Sequence, residues 1–200
     1  MTMTGQQPAA ASVEARRAMI DSQLRTSGVN EPWVLAAMSR VPREDFVPEE
    51  VRAAAYTDRT VALGQGRFLA APLVHGMMLA EAAPQPSDTA LLIGDGLGYL
   101  AALLRPLVGT LDCAEPGEAT KGAGKGNYTL VIIDGAIEQL PEWIACQLAD
   151  SGRLVTGLVE RGVTRLATGR KAGGMVALMP LADLGIPVLP QFAAPKRWSF

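Results

Sequence analysis

The chain has 200 residues, 48% of them hydrophobic and 19% charged, and its 18 Lys and Arg against 20 Asp and Glu leave a net charge of −2. That balance, with no long basic run, excludes nucleic acid or an anionic membrane as the main partner, and the length allows one domain with a full core. Two distant cysteines, a lone His75, no secretory signal pattern and no apolar run near the roughly 18 residues that span a bilayer lead to the expectation of a cytoplasmic protein with reduced thiols and no metal.

Residues 1–11 are small and polar and are expected to be disordered, because they bury little against the entropy of ordering them. Ser12 is read as the N-cap of a helix through about Ser27, stopped by Gly28. Asn30, with Pro32 just inside, opens a second helix with Trp33, Val34, Ala37 and Met38 on its apolar face. VPREDFVP breaks that helix, 49–56 forms a third short one, TVALG a strand, and Pro72 begins the helical LVHGMMLAEAA. Residues 12–83 thus form a helical region ahead of the remainder, 84–200, in one domain overall. His75 reads as a partly buried or surface histidine, and Trp33, Trp143, Met77 and Met78 as core packing.

Beyond Pro84 the rhythm changes. TALLI is a strand, GDGLG a turn, YLAALLRPL a helix, TLDCAE a second strand, TLVIID a third, PEWIACQLAD a helix, SG a turn and RLVTGLV a fourth strand. Apolar strands separated by helices predict an α/β fold, a mostly parallel sheet with helices on both faces. GVTRLATG and GGMVALMPL predict C-terminal antiparallel strands joined by the glycine-containing RKAGG. The final FAAPKRWSF closes over the sheet edge or touches a partner, and both readings stay open.

Between the second and third strands lies PGEATKGAGKGN, in which four of twelve residues are glycine and none is a large apolar residue. A helix packing on the sheet is not expected from such a segment, yet twelve extended residues reach up to about 40 Å. One crossover helix is therefore missing.

In LLIGDGLGYLAALL, Gly94, Gly96 and Gly98 stand between a strand and a helix, where a ligand can approach backbone N–H groups. A dinucleotide turn places its third glycine one position later, where Tyr99 stands. Glu115 ends the second strand 17 residues after Gly98 and is placed to bind ribose hydroxyls. The same residues also suit a tight strand-to-helix connection with an exposed acid. Asp95 is either a turn residue or a carboxylate for a cationic amine.

From Gln23 onward, QLRTSGVNEPWVLAAMSRVPREDFVPEEVRAAAYTDRTVALGQG, followed by LLIGDGLGY, Glu115, YTLVIID and SGRLV, resembles the protein-L-isoaspartate O-methyltransferase family. The resemblance implies a Rossmann-like, seven-stranded S-adenosylmethionine-dependent methyltransferase fold. It also implies methyl transfer to the free carboxylate of isoaspartyl residues in damaged proteins or peptides. A carboxylate is ionised at neutral pH, so this reaction needs positioning and exclusion of water rather than a general base. Carried onto this chain, Gly94, Asp95, Gly96, Gly98 and Glu115 bind the cofactor, while Arg67 and backbone donors near Ala70 hold the substrate carboxylate.

The chain departs from that pattern at three places. Where the family has G-Q-T-I-S-x-P, Phe68 and Ala70 replace both hydroxyl residues, and Arg67 offers a bidentate partner that also lowers carboxylate nucleophilicity. Leu92 replaces the motif carboxylate. The glycine-rich linker replaces a helix, a strand and an acidic turn beside adenine. Losing several hydrogen bonds at about 1 to 3 kcal/mol each weakens binding by orders of magnitude. The expectation is an inherited fold with an eroded cofactor site and reduced or lost activity. The alternative is a catalytically degenerate protein-interaction module, with a homodimer covering the sheet left bare by the short crossover.

Overall fold

The computed structural model describes residues 7–119 and 124–194. The chain divides into two compact units, Met1–Ala80 and Glu81–Phe200.

In the first unit, helix α1 runs over Gln7–Met19, so the helix starts ahead of the expected Ser12 cap. Residues 7–11, expected to lack order, are part of it, and 1–6 lie outside the described residues. Three alanines in that stretch supply the helix propensity that a count of apolar anchors overlooks. The chain then passes through a π turn (Ile20–Leu24) and a 3₁₀ turn (Arg25–Ser27). Gly28, at φ 95°, ends the helix as expected, with Val29 N–H donating to the Leu24 carbonyl at 3.0 Å.

Helix α2 (Pro32–Arg40) has Pro32 in its first turn but Glu31 rather than Asn30 at its N-cap. Its buried face is Val34, Leu35, Ala37 and Met38, with Trp33 only half-buried. Two 3₁₀ turns, Arg43–Phe46 and Glu49–Ala54, precede an antiparallel hairpin of β1 (Val61–Gly64) and β2 (Arg67–Leu69). Strand β2 was not foreseen: three residues are too few to show alternation. Gln65 and Gly66 turn it at φ 52° and 74°, values that a two-residue hairpin of matching twist requires. Helix α3 (Pro72–Ala82) matches its expected span. A Cβ on its Gly76 would lie 3.3 Å from Leu24 and Val29 side-chain atoms, so the missing side chain lets the helix pack closely there.

The second unit is built on a six-stranded sheet of order β4-β3-β5-β6-β7-β8. Strands β3 (Thr89–Ile93), β4 (Thr110–Ala114), β5 (Tyr128–Ile137) and β6 (Leu148–Glu160) run parallel; β7 (Val163–Ala172) and β8 (Met175–Asp183) are antiparallel. The described residues thus carry six strands in this sheet rather than the seven that the resemblance implies, with the crossover between β4 and β5 shortened. Leu91, Ile93, Val131, Ile133 and Leu154 belong to one core cluster, and Ala90, Leu92, Leu130, Ile132 and Val155 are buried on the alternate face. Helix α4 (Tyr99–Leu104) follows β3, and α6 (Glu142–Gln147) stops where β6 begins. The expected SG turn is looped out inside β6, between the pairs Tyr128↔Leu148 and Leu130↔Arg153, with Ser151 at φ 64°.

The crossover from β4 to β5 passes β3 and retains one helical turn, α5 (Pro116–Ala119). Its far end is stitched down by polar contacts. Lys125 N–H donates to the Tyr128 hydroxyl at 3.0 Å, that hydroxyl donates to Asp112 at 2.8 Å, and Lys125 Nζ sits 3.2 Å from the same carboxylate. Burial, together with the Asp112 carboxylate, pushes the Tyr128 phenol up. The C-terminal segment returns to β5, where Ala136 N–H donates to Pro187 O and Leu189 N–H to Ala136 O. Phe192 enters the core cluster, so this part of the aromatic tail packs inside the unit; residues 195–200 lie outside the described residues.

Candidate functional site

The strand order reverses between β3 and β5, and their carboxyl ends form the crevice where open α/β sheets place ligands. Gly94 follows β3 there. Its N–H donates to Ala114 O at 2.9 Å, which brings the turn next to Glu115 at the end of β4. Asp95 shapes the turn from within: Leu97 N–H donates to its carboxylate at 2.9 Å, and Gly98 N–H to its carbonyl at 3.0 Å. Arg105, just past α4, donates to Gly96 O at 2.7 Å.

Each glycine also has a steric reason to be glycine. A Cβ on Gly94 would stand 3.0 Å from the Asp134 Cβ, one on Gly96 would stand 2.9 Å from the Cys113 Cβ, and one on Gly98 would stand 3.0 Å from the Asp95 Cβ. Leu92, at the place of the family's motif carboxylate, is fully buried between Cys113 and Ile132 in the sheet. Glu115 is exposed, and its carbonyl accepts the N–H groups of Glu118 and Ala119. Cys113 beside the turn is exposed, and partial desolvation holds its thiol above its ordinary value.

Asp134 is the acid that sequence reasoning passed over. It follows Ile133, the last β5 residue paired with β3, and its Cβ lies directly beside Gly94. Its signal was the last letter of YTLVIID, an acid closing the apolar run of a parallel strand that the structure continues to Ile137.

Arg67 and Ala70 belong to the N-terminal unit. Arg67 opens β2 and is exposed, as is Phe68, while Ala70 is buried. The Ala70 carbonyl accepts from Arg43 Nη2 at 2.7 Å. Arg43, fully buried, also donates from Nε to Ala55 O at 2.8 Å and from Nη1 to His75 Nδ1 at 3.2 Å. A guanidinium has no acceptor, so His75 Nδ1 must accept, and the neutral ring carries its proton on Nε2. His75 is thus fully buried rather than near the surface, and it serves as an internal hydrogen-bond partner.

A second polar group lies in the same unit. The Tyr56 hydroxyl donates to Glu44, Arg16 donates to both at 2.9 and 3.2 Å, and Gln23 Nε2 donates to Tyr56 O at 2.9 Å. Burial and the Glu44 carboxylate push the Tyr56 phenol up to about 12. Burial works against ionisation of Glu44, but Tyr56, Ser12 and Arg16 outweigh it and hold the carboxyl below its usual range. Among the described residues, no group of His, Cys, Asp and Glu is arranged to hold a metal ion.

Set against S-adenosylmethionine, these residues fit only in part. A ligand carboxylate at this turn needs backbone donors, and the N–H groups of Gly94, Leu97 and Gly98 already have partners. Glu115 supplies a ribose-binding carboxylate, but the crossover beyond it holds only the single turn of α5 before residues 120–123.

Comparison with known proteins places these features. The family model described as protein-L-isoaspartate(D-aspartate) O-methyltransferase matches residues 14–114. A protein-L-isoaspartate O-methyltransferase of Methanoculleus marisnigri is 29% identical, aligned over 88% of this chain and 92% of its own. One from Roseiflexus castenholzii is 33% identical over 84% of this chain and 88% of its own. A solved candidate protein-L-isoaspartate O-methyltransferase from Plasmodium falciparum, in complex with S-adenosyl-L-homocysteine, superposes with a TM-score of 0.69 at 18% identity. That superposition covers 88% of this chain and 98% of the other and shows a shared fold.

Proposed function

This chain belongs to the protein-L-isoaspartate O-methyltransferase family, and we propose that it is a member whose methyl transfer to isoaspartyl carboxylates is reduced or lost, with a weakened S-adenosylmethionine site. The observation that carries this reading is the engagement of the Gly94, Leu97 and Gly98 amides within their own turn and with β4. Each amide turned to a ligand gives up an existing hydrogen bond, so its net contribution to binding falls toward zero. The acceptor side points the same way, since Phe68 and Ala70 bring no hydroxyl and the Ala70 carbonyl is held by Arg43. Isoaspartyl proteins or peptides as the substrate class, and a cytoplasmic setting in which Cys113 and Cys146 stay reduced, belong to the same proposal.

Calorimetric titration with S-adenosylhomocysteine tests it, followed by methylation of an isoaspartyl peptide. The expected result is no saturable heat at micromolar ligand and no methyl incorporation. Micromolar binding together with turnover overturns the reading. A second reading, a protein-interaction module on the inherited fold, is favoured by the apolar side chains exposed on β8.

A further inference from the structure

The short crossover was expected to leave bare apolar sheet, but among the described residues none of the exposed large apolar side chains lies on β4 or in the crossover. In the second unit they concentrate instead on β8, where Met175 is 75%, Met179 59% and Leu181 39% exposed. Strand β8 ends the sheet order, is nine residues long and carries no charge before Asp183. Natural sheets blunt such edges with charges, because a free edge presents unpaired backbone groups to another strand.

We propose that β8 is the interface of a homodimer, pairing antiparallel with β8 of a second copy about a two-fold axis at Leu178. The proposal deepens the interaction-module reading by naming the partner, and it does not depend on whether cofactor binds.

The register follows from the hairpin. Gly173 and Gly174, at φ 57° and 81°, join the pair Ala172↔Met175, so Met175 N–H closes the turn toward β7. Direction alternates from there, which turns the backbone groups of Val176, Leu178 and Pro180 to the free edge. Proline lacks an N–H, and an edge strand with its nitrogen facing outward is where it is tolerated.

With Leu178 opposite Leu178 of the second copy, Val176 faces Pro180, Ala177 faces Met179, and Met175 faces Leu181. Every exposed apolar side chain of the strand then meets an apolar one, and Ala177 leaves room for Met179. Shifting by one residue turns the outward-pointing backbone groups toward inward-pointing ones. Charge agrees with the antiparallel sense: Asp183, which holds Arg165 at 2.6 Å within its own chain, lands beside the Gly173–Gly174 turn of the other copy, where Arg170 and Lys171 leave β7 with no carboxylate opposite them on β8. Pro180 and the irregularity at Leu166/Ala167 limit the pairing to this short stretch, so the contact closes as a dimer instead of growing.

Sedimentation velocity on the full chain and on Met179→Lys tests the proposal, with circular dichroism checking that the variant keeps its fold. The expected result is a concentration-dependent dimer whose dissociation constant rises by about a hundredfold in Met179→Lys, because each interface would bury an ammonium against Ala177. A second variant fixes the register: Ala177→Cys with Met179→Cys, in a Cys113→Ser, Cys146→Ser background, is expected to form covalent dimers on mild oxidation. A chain that stays monomeric at all concentrations, or a dimer that Met179→Lys leaves unchanged, overturns the proposal. So does failure of the cysteine pair to cross-link in a dimer of unchanged affinity. None of these readouts involves cofactor, so their failure is separate from failure of the methyltransferase reading.

Discussion

In the N-terminal unit Gln23, Arg43, Glu44 and Tyr56 end in hydrogen bonds to one another and to backbone carbonyls. In the C-terminal unit Gly94, Gly96 and Gly98 end in close contact with a neighbouring Cβ. The first kind of signature is held by polar chemistry: each member satisfies a group that would otherwise be buried without a partner. The second is held by the lack of a side chain, which a tight turn requires whether or not a ligand ever sits there. Both can outlast a lost activity, because both serve the fold.

The sharpest way to break this comparison is Arg43→Ala. Its removal takes donors from the Ala55 and Ala70 carbonyls and from His75 in a fully buried site, and a loss of about 3 to 5 kcal/mol in urea unfolding is expected. Arg43→Lys is expected to recover less than half, since one ammonium cannot reproduce the spread of a guanidinium across three acceptors. A loss below about 1 kcal/mol would mean that the N-terminal signature is not a folding network.

The glycine side sharpens through a pair of substitutions. Gly96→Ala forces a Cβ to within 2.9 Å of Cys113, with an expected cost of about 1 to 3 kcal/mol. A Cβ on Gly117, in the one-turn α5, would meet nothing within 4 Å, and its φ is ordinary, so Gly117→Ala is expected to stabilise by roughly 0.5 kcal/mol. Equal effects at the two sites, read as shifts of the urea midpoint, would show that close packing is not what keeps Gly96.

Much of this was legible in the sequence, for reasons that differ by element. Thr89–Ile93 and Pro72–Ala82 carry apolar runs with clear stops, so their spans could be read directly. The crossover without its helix followed from composition. Strand β2 was hidden because its three residues are too few to show alternation, and the 3₁₀ turn at Arg43–Phe46 because its arginine is fixed by partners farther along the chain, Ala55, Ala70 and His75. The glycines of the candidate site were found, but which contacts require them was not, since Asp134 and Cys113 are brought beside them only by parallel strand pairing. The apolar edge of β8 could be suspected from GGMVALMPL, while its exposure depends on the strand order of the finished sheet.

pH acts on both units, at both ends of the scale. Asp88 lies in the C-terminal unit, where burial opposes its charge but Thr129, the Gln85 amide and Arg153 at 2.6 Å together hold it below its ordinary value. Glu44 is likewise depressed in the N-terminal unit. A depressed carboxyl contributes stability above its unfolded value, about 4, and loses it as pH falls through the folded one, so acid weakens both units. At high pH the sign reverses. Tyr56, raised to about 12 by burial and by Glu44, contributes fully below its unfolded value of about 10 and loses that contribution as pH rises through 12. Tyr128, raised by burial and by Asp112, acts in the same direction in the C-terminal unit. Tyr56→Phe is expected to cost about 1 to 2 kcal/mol at neutral pH through the lost hydrogen bonds and to remove part of the alkaline loss, leaving the share that belongs to Tyr128. Thermal midpoints followed from neutral pH to about pH 11 would show it. An alkaline limb unchanged by Tyr56→Phe would place all of that titration on Tyr128, and so on the polar stitch that holds the shortened crossover rather than on the N-terminal network.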